Sequence, residues 1–185
     1  MATSKPTIST SFLYETLEET LDIKPLGAKL QIGIPKETAF QENRIALSPE
    51  AVGVLVSNGN EVSIEHLAGE GSHYSDADYS EAGARIVFDR HEIYKCPILV
   101  KSAPIVSEDL PLLQLNQIII SPIHYSALQQ ADIQKMMEKK ITALSFENFK
   151  DASGTYPIVR SMSEIAGSAV MLIAAQYLSS FNKGK

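Results

Sequence analysis

The stretch Ile32-Gly-Ile-Pro-Lys-Glu-Thr-Ala-Phe-Gln-Glu-Asn-Arg-Ile-Ala-Leu-Ser-Pro, residues 32–49, decides the fold class. A short apolar strand ends at Pro35, a polar loop follows, and Ser48-Pro49 opens a helix. Serine suits the N-cap, and proline suits the first helical position, where its missing N–H has no helical partner to lose. The loop carries one arginine, Arg44. Held between a strand end and a helix start, its planar fork can take a small carboxylate through two parallel hydrogen bonds.

The alternation continues downstream. The helix after Pro49 is expected to stop at Asn58-Gly59, where glycine takes the left-handed conformation at low cost. A strand over Glu61–Ile64 comes next, then a short helix over Tyr74–Ala82 closed by Gly83, then a strand over Ala84–Val87. Pro97–Val100 and Gln117–Ser121 are apolar runs of strand length, with a helical turn or two at Ser107–Leu113 between them. Ser126–Lys139 reads as a helix and Ile141–Ser145 as the last strand. The pattern implies an α/β fold: a mainly parallel sheet with helices on both faces, Rossmann-like or flavodoxin-like.

Ser161–Ser180 reads as the strongest helix. Ser161 and Glu164 have capping-box spacing, and Met162, Ile165, Ala166, Ala169, Val170, Ile173, Ala174 and Tyr177 form an apolar stripe at helical period. Residues 1–29 read as an amino-terminal arm, with a short amphipathic helix at Ser9–Leu21 that sets Phe12, Leu13, Leu17 and Leu21 on one side. The expected organisation is the arm, one domain over residues 30–160, and a connecting helix over 161–185.

Composition narrows the function classes. The chain has 185 residues, 44% hydrophobic and 21% charged, as in ordinary globular domains. A net charge of −6 argues against a nucleic-acid binder, which needs a basic surface. Cys96 is the one cysteine of the sequence, so neither an intrachain disulfide nor a cysteine metal site is expected. The amino terminus has no apolar signal core, and no apolar run approaches the roughly 20 residues that span a bilayer. The expectation is a soluble, cytoplasmic protein without membrane insertion.

Ligands of open parallel sheets bind at the carboxyl ends of the strands. That gives weight to Lys36–Arg44, Lys101–Pro104, His124 and Glu147. His124 titrates near neutrality and can pass a proton either way. Lys101 ends the fourth strand and could offer its ammonium to a carbonyl or carboxylate. His66, His73 and His91 have no paired ligand spacing and read as surface residues. Ala68-Gly-Glu-Gly-Ser-His-Tyr reads as an ordinary turn, and no Gly-x-Gly-x-x-Gly dinucleotide fingerprint occurs.

Ile32-Gly-Ile-Pro-Lys-Glu, Glu42-Asn-Arg-Ile-Ala-Leu-Ser-Pro, Ala68-Gly-Glu-Gly-Ser, Ala82-Gly-Ala-Arg-Ile-Val, Ile141-Thr-Ala-Leu-Ser-Phe-Glu and Ser161-Met-Ser-Glu-Ile-Ala-Gly occur in this order. Together they resemble the amino-terminal portion of the alanine dehydrogenase and nicotinamide nucleotide transhydrogenase family, over about residues 30–184. The resemblance implies a substrate domain followed by an NAD-binding Rossmann domain, a homo-oligomer, and reversible oxidative deamination of L-alanine to pyruvate and ammonium. It implies that Arg44 and a lysine near Lys101 hold the substrate carboxylate and carbonyl, that His124 is the acid/base, and that Met162 and Ser163 lie beside the nicotinamide.

The family order Leu-Lys-Val-Lys-Glu-Pro is replaced here by Leu99-Val-Lys-Ser-Ala-Pro, so the family lysine aligns with Ser102 rather than Lys101. A one-residue shift in a strand changes the face to which a side chain points. The Rossmann fingerprint is expected beyond Lys185, and the residues present are expected to be inactive alone. Two alternatives stand beside this reading: the NAD-binding part of a proton-translocating transhydrogenase, and a non-catalytic relative.

Overall fold

The computed structural model describes residues 29–123 and 129–179. The helix expected at Ser9–Leu21, the start of the helix expected at Ser126, and His124 itself lie outside the described residues. One all-parallel sheet contains β1 (Gln31–Ile34), β2 (Glu61–Glu65), β3 (Arg85–Val87), β4 (Ile98–Val100), β5 (Ile118–Ile120) and β6 (Thr142–Leu144), in the order β3-β2-β1-β4-β5-β6. Among the described residues five α-helices accompany it: α1 (Pro49–Ser57), α2 (Asp76–Glu81), α3 (Arg90–Ile93), α4 (Gln130–Glu138) and α5 (Pro157–Leu178). The chain builds outward from β1 to β3, then returns to the other side of β1 with β4. Because parallel crossovers are right-handed, this reversal carries the later helices to the opposite face.

Strand alternation shows how two cores arise from one sheet. Ile32 and Ile34 of β1 join Val62, Ile64, Val52 and Tyr79 on the α1/α2 side. Leu99 and Ile119 face the other way and pack with Ile93, Tyr94, Leu110 and Leu113. Gly33 points to that second side, where an added Cβ would come within 2.9 Å of the Ile93 carbonyl oxygen and the Cys96 Cβ. Its missing side chain is what lets the end of α3 lie directly on β1. Each of these fully buried aliphatic side chains contributes about 1.5–3 kcal/mol of transfer free energy.

The punctuation read from the sequence is present at α1. The Ser48 hydroxyl accepts from the Ala51 N–H, Pro49 is the first helical residue, and Gly59 follows the end with φ +87°. At α2 the cap is Ser75, which exchanges hydrogen bonds with Asp78 in a capping box, so this helix starts at Asp76 rather than Tyr74. Ser107–Leu113 forms turns but no helix. The unanticipated helix α3 is capped by the Asp89 carboxylate, which accepts from the His91 N–H at 2.9 Å.

α5 begins four residues before the expected Ser161. Proline at its first position, Pro157, sets the start, and the Ser161 hydroxyl donates back to the Pro157 carbonyl at 3.0 Å instead of capping. All eight residues of the expected stripe are exposed. At 22 residues, and with mean hydropathy 1.4 in its most apolar window, α5 is long and apolar enough to cross a membrane. This corrects the expectation that no segment reaches that length, although core helices of soluble proteins satisfy the same criterion.

Candidate functional site

The strand order reverses between β1 and β4, and their carboxyl ends bound the crevice where open α/β sheets take ligands. Here that crevice is filled from within. The Glu37 carboxylate, 6% exposed, crosses from the β1 end to the β4 end, and its Oε1 accepts the N–H groups of Ser102 at 2.6 Å and Ala103 at 3.1 Å. Its Oε2 lies 3.3 Å from the Lys101 ammonium but accepts no hydrogen bond. Lys101 is 1% exposed, and its ammonium donates to Asp109 Oδ2 at 2.8 Å.

Asp109 is the hub of this cluster. Besides Lys101 it accepts from Arg90 Nη2 at 3.0 Å, from the Tyr94 hydroxyl at 2.6 Å and from the Val106 N–H at 3.3 Å. Arg90 also reaches Glu65 Oε2 at 3.2 Å and the Lys36 carbonyl at 3.0 Å, so it ties the ends of β1 and β2 to the turn that holds Asp109. Burial alone would raise the Asp109 pKa, but Lys101 and Tyr94 outweigh it and hold the carboxyl below the usual aspartate value. Burial, then the Asp109 charge, pushes the Tyr94 phenol well above its ordinary range. Among the buried side-chain atoms of the cluster only Glu37 Oε2 lacks a hydrogen-bond partner within the described residues, so the cluster fastens the strand ends together.

Arg44 stands in the open part of the same loop. It lines a cavity of about 310 Å³ with Lys36, Glu37, Glu42, Glu70 and Gly71 at the carboxyl ends of β1 and β2. Glu42 accepts from the Arg44 backbone N–H at 2.9 Å, from Nε at 2.8 Å and from Nη2 at 2.6 Å. The guanidinium hydrogen bond lowers the Glu42 pKa, and the same bond raises that of Arg44. The Arg44 side chain is 58% exposed, against 13% for Glu42. Asn43 is pinned from behind: its carbonyl accepts the Ser72 hydroxyl at 2.7 Å, and a Cβ on Gly71 would come within 2.8 Å of that oxygen.

A second cavity, about 300 Å³ and largely apolar, lies at the ends of β4 and β5. Ala39 of the β1–α1 loop lines it, with Ile119, Ser121, Ile123 and the buried Asp132. Ile123 immediately precedes His124, whose acid/base reading falls outside the described residues. A larger cleft of about 770 Å³ lies at the opposite, amino-terminal edge of the sheet, away from the loop that carries Arg44.

The structure thus brings Arg44, Lys36 and Glu37 to one cavity. It turns the Lys101 ammonium into the interior ion-pair cluster, so Lys101 does not line that cavity and offers it no free cation. Met162 and Ser163 are exposed in the second turn of α5, a helix that among the described residues packs chiefly on the turn at Phe146–Asn148. Ala68–Tyr74 forms a turn with one 3-10 segment, Glu70–Ser72. His66 pairs with Asp76 at the surface. Among the described residues, no group of His, Cys, Asp or Glu side chains could hold a metal ion.

Sequence reasoning gave weight to Lys36–Arg44 without singling out Glu37 or Glu42, and it missed Arg90 and Asp109. For Glu42 a signal existed, because a carboxylate two residues before an arginine can close a turn onto it. The others are far apart in the chain and meet only in the fold.

Residues 33–166 match the family model described as alanine dehydrogenase/PNT, N-terminal domain. Alanine dehydrogenase of Staphylococcus epidermidis is 34% identical over 155 residues, which cover 84% of this chain and 42% of that protein. A solved L-alanine dehydrogenase superposes with TM-score 0.76 at 32% identity, covering 80% of this chain and 41% of that one. The transhydrogenase from Sinorhizobium meliloti superposes with TM-score 0.58 at 26% identity, covering 63% and 35%. The chain therefore spans about two fifths of the length of the curated relatives it matches.

Proposed function

The chain belongs to the alanine dehydrogenase/PNT N-terminal domain family, and from that premise we propose that it is the substrate-binding part of an NAD-dependent alanine dehydrogenase. The reaction is L-alanine, NAD and water to pyruvate, ammonium and NADH. The observation that carries this reading is Arg44, which stands exposed in a cavity at the carboxyl ends of β1 and β2.

Arg44 takes the carboxylate of a 2-amino or 2-oxo acid. Its guanidinium stays protonated throughout the physiological range, so the anchor does not depend on pH. His124 supplies and removes the proton during deamination, from a position directly after Ile123. Lys101, held by Asp109 and Glu37, keeps the loop after β4 in place beside that site.

This sheet itself does not suit a dinucleotide. Its first βα connection is long and lacks the glycines that admit a pyrophosphate, and Glu37 already takes the free N–H groups at the β4 end. Hydride transfer is therefore assigned to no residue of the sheet. Met162 and Ser163, exposed on α5, are the residues of this chain proposed to approach the nicotinamide. The protein is proposed to work in the cytoplasm as a homo-oligomer.

A second reading, the NAD-binding part of a transhydrogenase, draws on one observation: no lysine of the loop after β4 is free to touch a substrate. The two readings part in one assay. With the NAD-binding portion present, L-alanine should drive NAD reduction, and Arg44→Ala should lower kcat/KM by about 100-fold or more. An NAD-binding protein that leaves alanine untouched would defeat the first reading. The 185 residues alone are expected to show no turnover.

A further inference from the structure

We propose that Glu42 is a positioning residue that presents one edge of the Arg44 guanidinium to the carboxylate of the ligand; this inference rests on the reading of Arg44 as the substrate anchor. Arginine offers a carboxylate two forked edges, the side edge formed by Nε and Nη2 and the end edge formed by Nη1 and Nη2. Glu42 occupies the side edge, at 2.8 Å and 2.6 Å. Among the described residues, Nη1 has no hydrogen-bond partner. The end edge is thus the one left for a ligand, and it belongs to the side chain that is 58% exposed at the cavity.

The clamp itself is anchored. Glu42 also accepts the Arg44 backbone N–H, so its carboxylate closes the turn as well as gripping the side chain. The residue between them, Asn43, is fixed to the neighbouring turn through the Ser72 hydroxyl. Gly71 packs against Asn43 so closely that a Cβ there would come within 2.9 Å of its Cα. An exposed arginine without such support would distribute over many rotamers and would lose that freedom on every binding event. Glu42 removes the cost in advance, because the guanidinium is already oriented when the ligand arrives.

Glu42 could instead compete for Arg44 as an internal anion. The geometry argues against competition, since the occupied edge and the vacant edge are different. A ligand carboxylate on the end edge shares only Nη2, which carries two hydrogens and can serve both partners.

The test is a double-mutant cycle read by pyruvate binding, using isothermal titration or ligand-observed NMR on wild type, Glu42→Gln, Arg44→Lys and the double variant. Glutamine keeps the size of the side chain but sets an NH₂ group against a guanidinium nitrogen. Glu42→Gln should weaken pyruvate binding about three- to tenfold, with an unchanged unfolding midpoint in urea. In the Arg44→Lys background the same exchange should have no further effect, because there is no fork to orient.

Unchanged or tighter pyruvate binding in Glu42→Gln, with Arg44→Lys still weakened, would overturn the positioning role alone. Equal losses in both backgrounds would mark a general structural role and overturn it as well. Pyruvate binding that ignores Arg44→Lys would overturn the anchor reading, and this inference with it.

Discussion

The β1–α1 loop carries two carboxylates, Glu37 and Glu42, and each meets a cation under different conditions. Glu37 and Lys101 are 6% and 1% exposed, and Lys101 is further held by Asp109, itself 1% exposed. Glu42 and Arg44 are 13% and 58% exposed, and among the described residues Arg44 Nη1 has no hydrogen-bond partner. The chemistry of the pairs is nearly the same, but the burial differs. In the first site the ions satisfy one another and tie β1, β2 and β4 together. In the second, one cation leans into a cavity with donors in reserve. Ligand binding needs the second condition, and charge alone does not distinguish the two.

The largest effect should come from breaking the closed site. Asp109→Ala leaves Lys101, Arg90 and the Tyr94 hydroxyl short of a partner at once, and should cost about 3–5 kcal/mol of stability in urea denaturation. The pH dependence has a defined sign. The folded-state pKa of Asp109 lies below its ordinary value of 3.8. Its contribution is therefore present above that value and lost as pH falls through the lower folded value. Wild-type stability should drop as pH falls below about 4, and the part due to Asp109 should be missing from Asp109→Ala. A variant within about 1 kcal/mol of wild type at neutral pH would show that the closed site does not fasten the strand ends.

Much of the frame was legible before any coordinates. Ser48-Pro49, Gly59 and Gly83 mark real boundaries, because caps and left-handed glycines act through neighbouring residues in the chain. The parallel sheet was legible for the same reason, as short apolar strands separated by helical stretches. Arg44 could be singled out because it occupies a strand-to-helix loop.

The closed site was not legible. Glu37, Arg90, Lys101 and Asp109 come from four separate segments, and only the reversal of strand order brings them together. Lys101 looked like an available cation because strand-end lysines are usually solvated; the turn carrying Asp109, eight residues later, folds back over it. The start of α5 was misplaced because the serine–glutamate spacing at Ser161 and Glu164 resembles a cap. Pro157 was the stronger local signal.

A middle-sized effect should come from the wall behind the open site. Gly71→Ala sets a methyl group 2.8 Å from the Asn43 carbonyl oxygen, which already accepts the Ser72 hydroxyl. The backbone must move, at about 1–3 kcal/mol. Asn43 lies between Glu42 and Arg44, so pyruvate binding should weaken together with stability. A Gly71→Ala protein that loses stability but binds as wild type would show that the loop behind Arg44 can give way without disturbing the fork.

The smallest effect on stability should come from removing the cation that matters most for binding. The Arg44 side of its pair with Glu42 is open to solvent, and pairs screened in this way contribute about 0–1 kcal/mol. Its loss leaves Glu42 with water at hand, whereas the loss of Asp109 leaves buried charges with none. Arg44→Ala should therefore unfold in urea within about 0.5 kcal/mol of wild type while losing pyruvate binding. If Arg44→Ala destabilised the fold as much as Asp109→Ala, the open site would be a second fastening of the loop, and the cavity beside it would lose its claim as a carboxylate seat. Loss of binding with stability intact would separate the two carboxylates of one loop by what their cations still have free to offer.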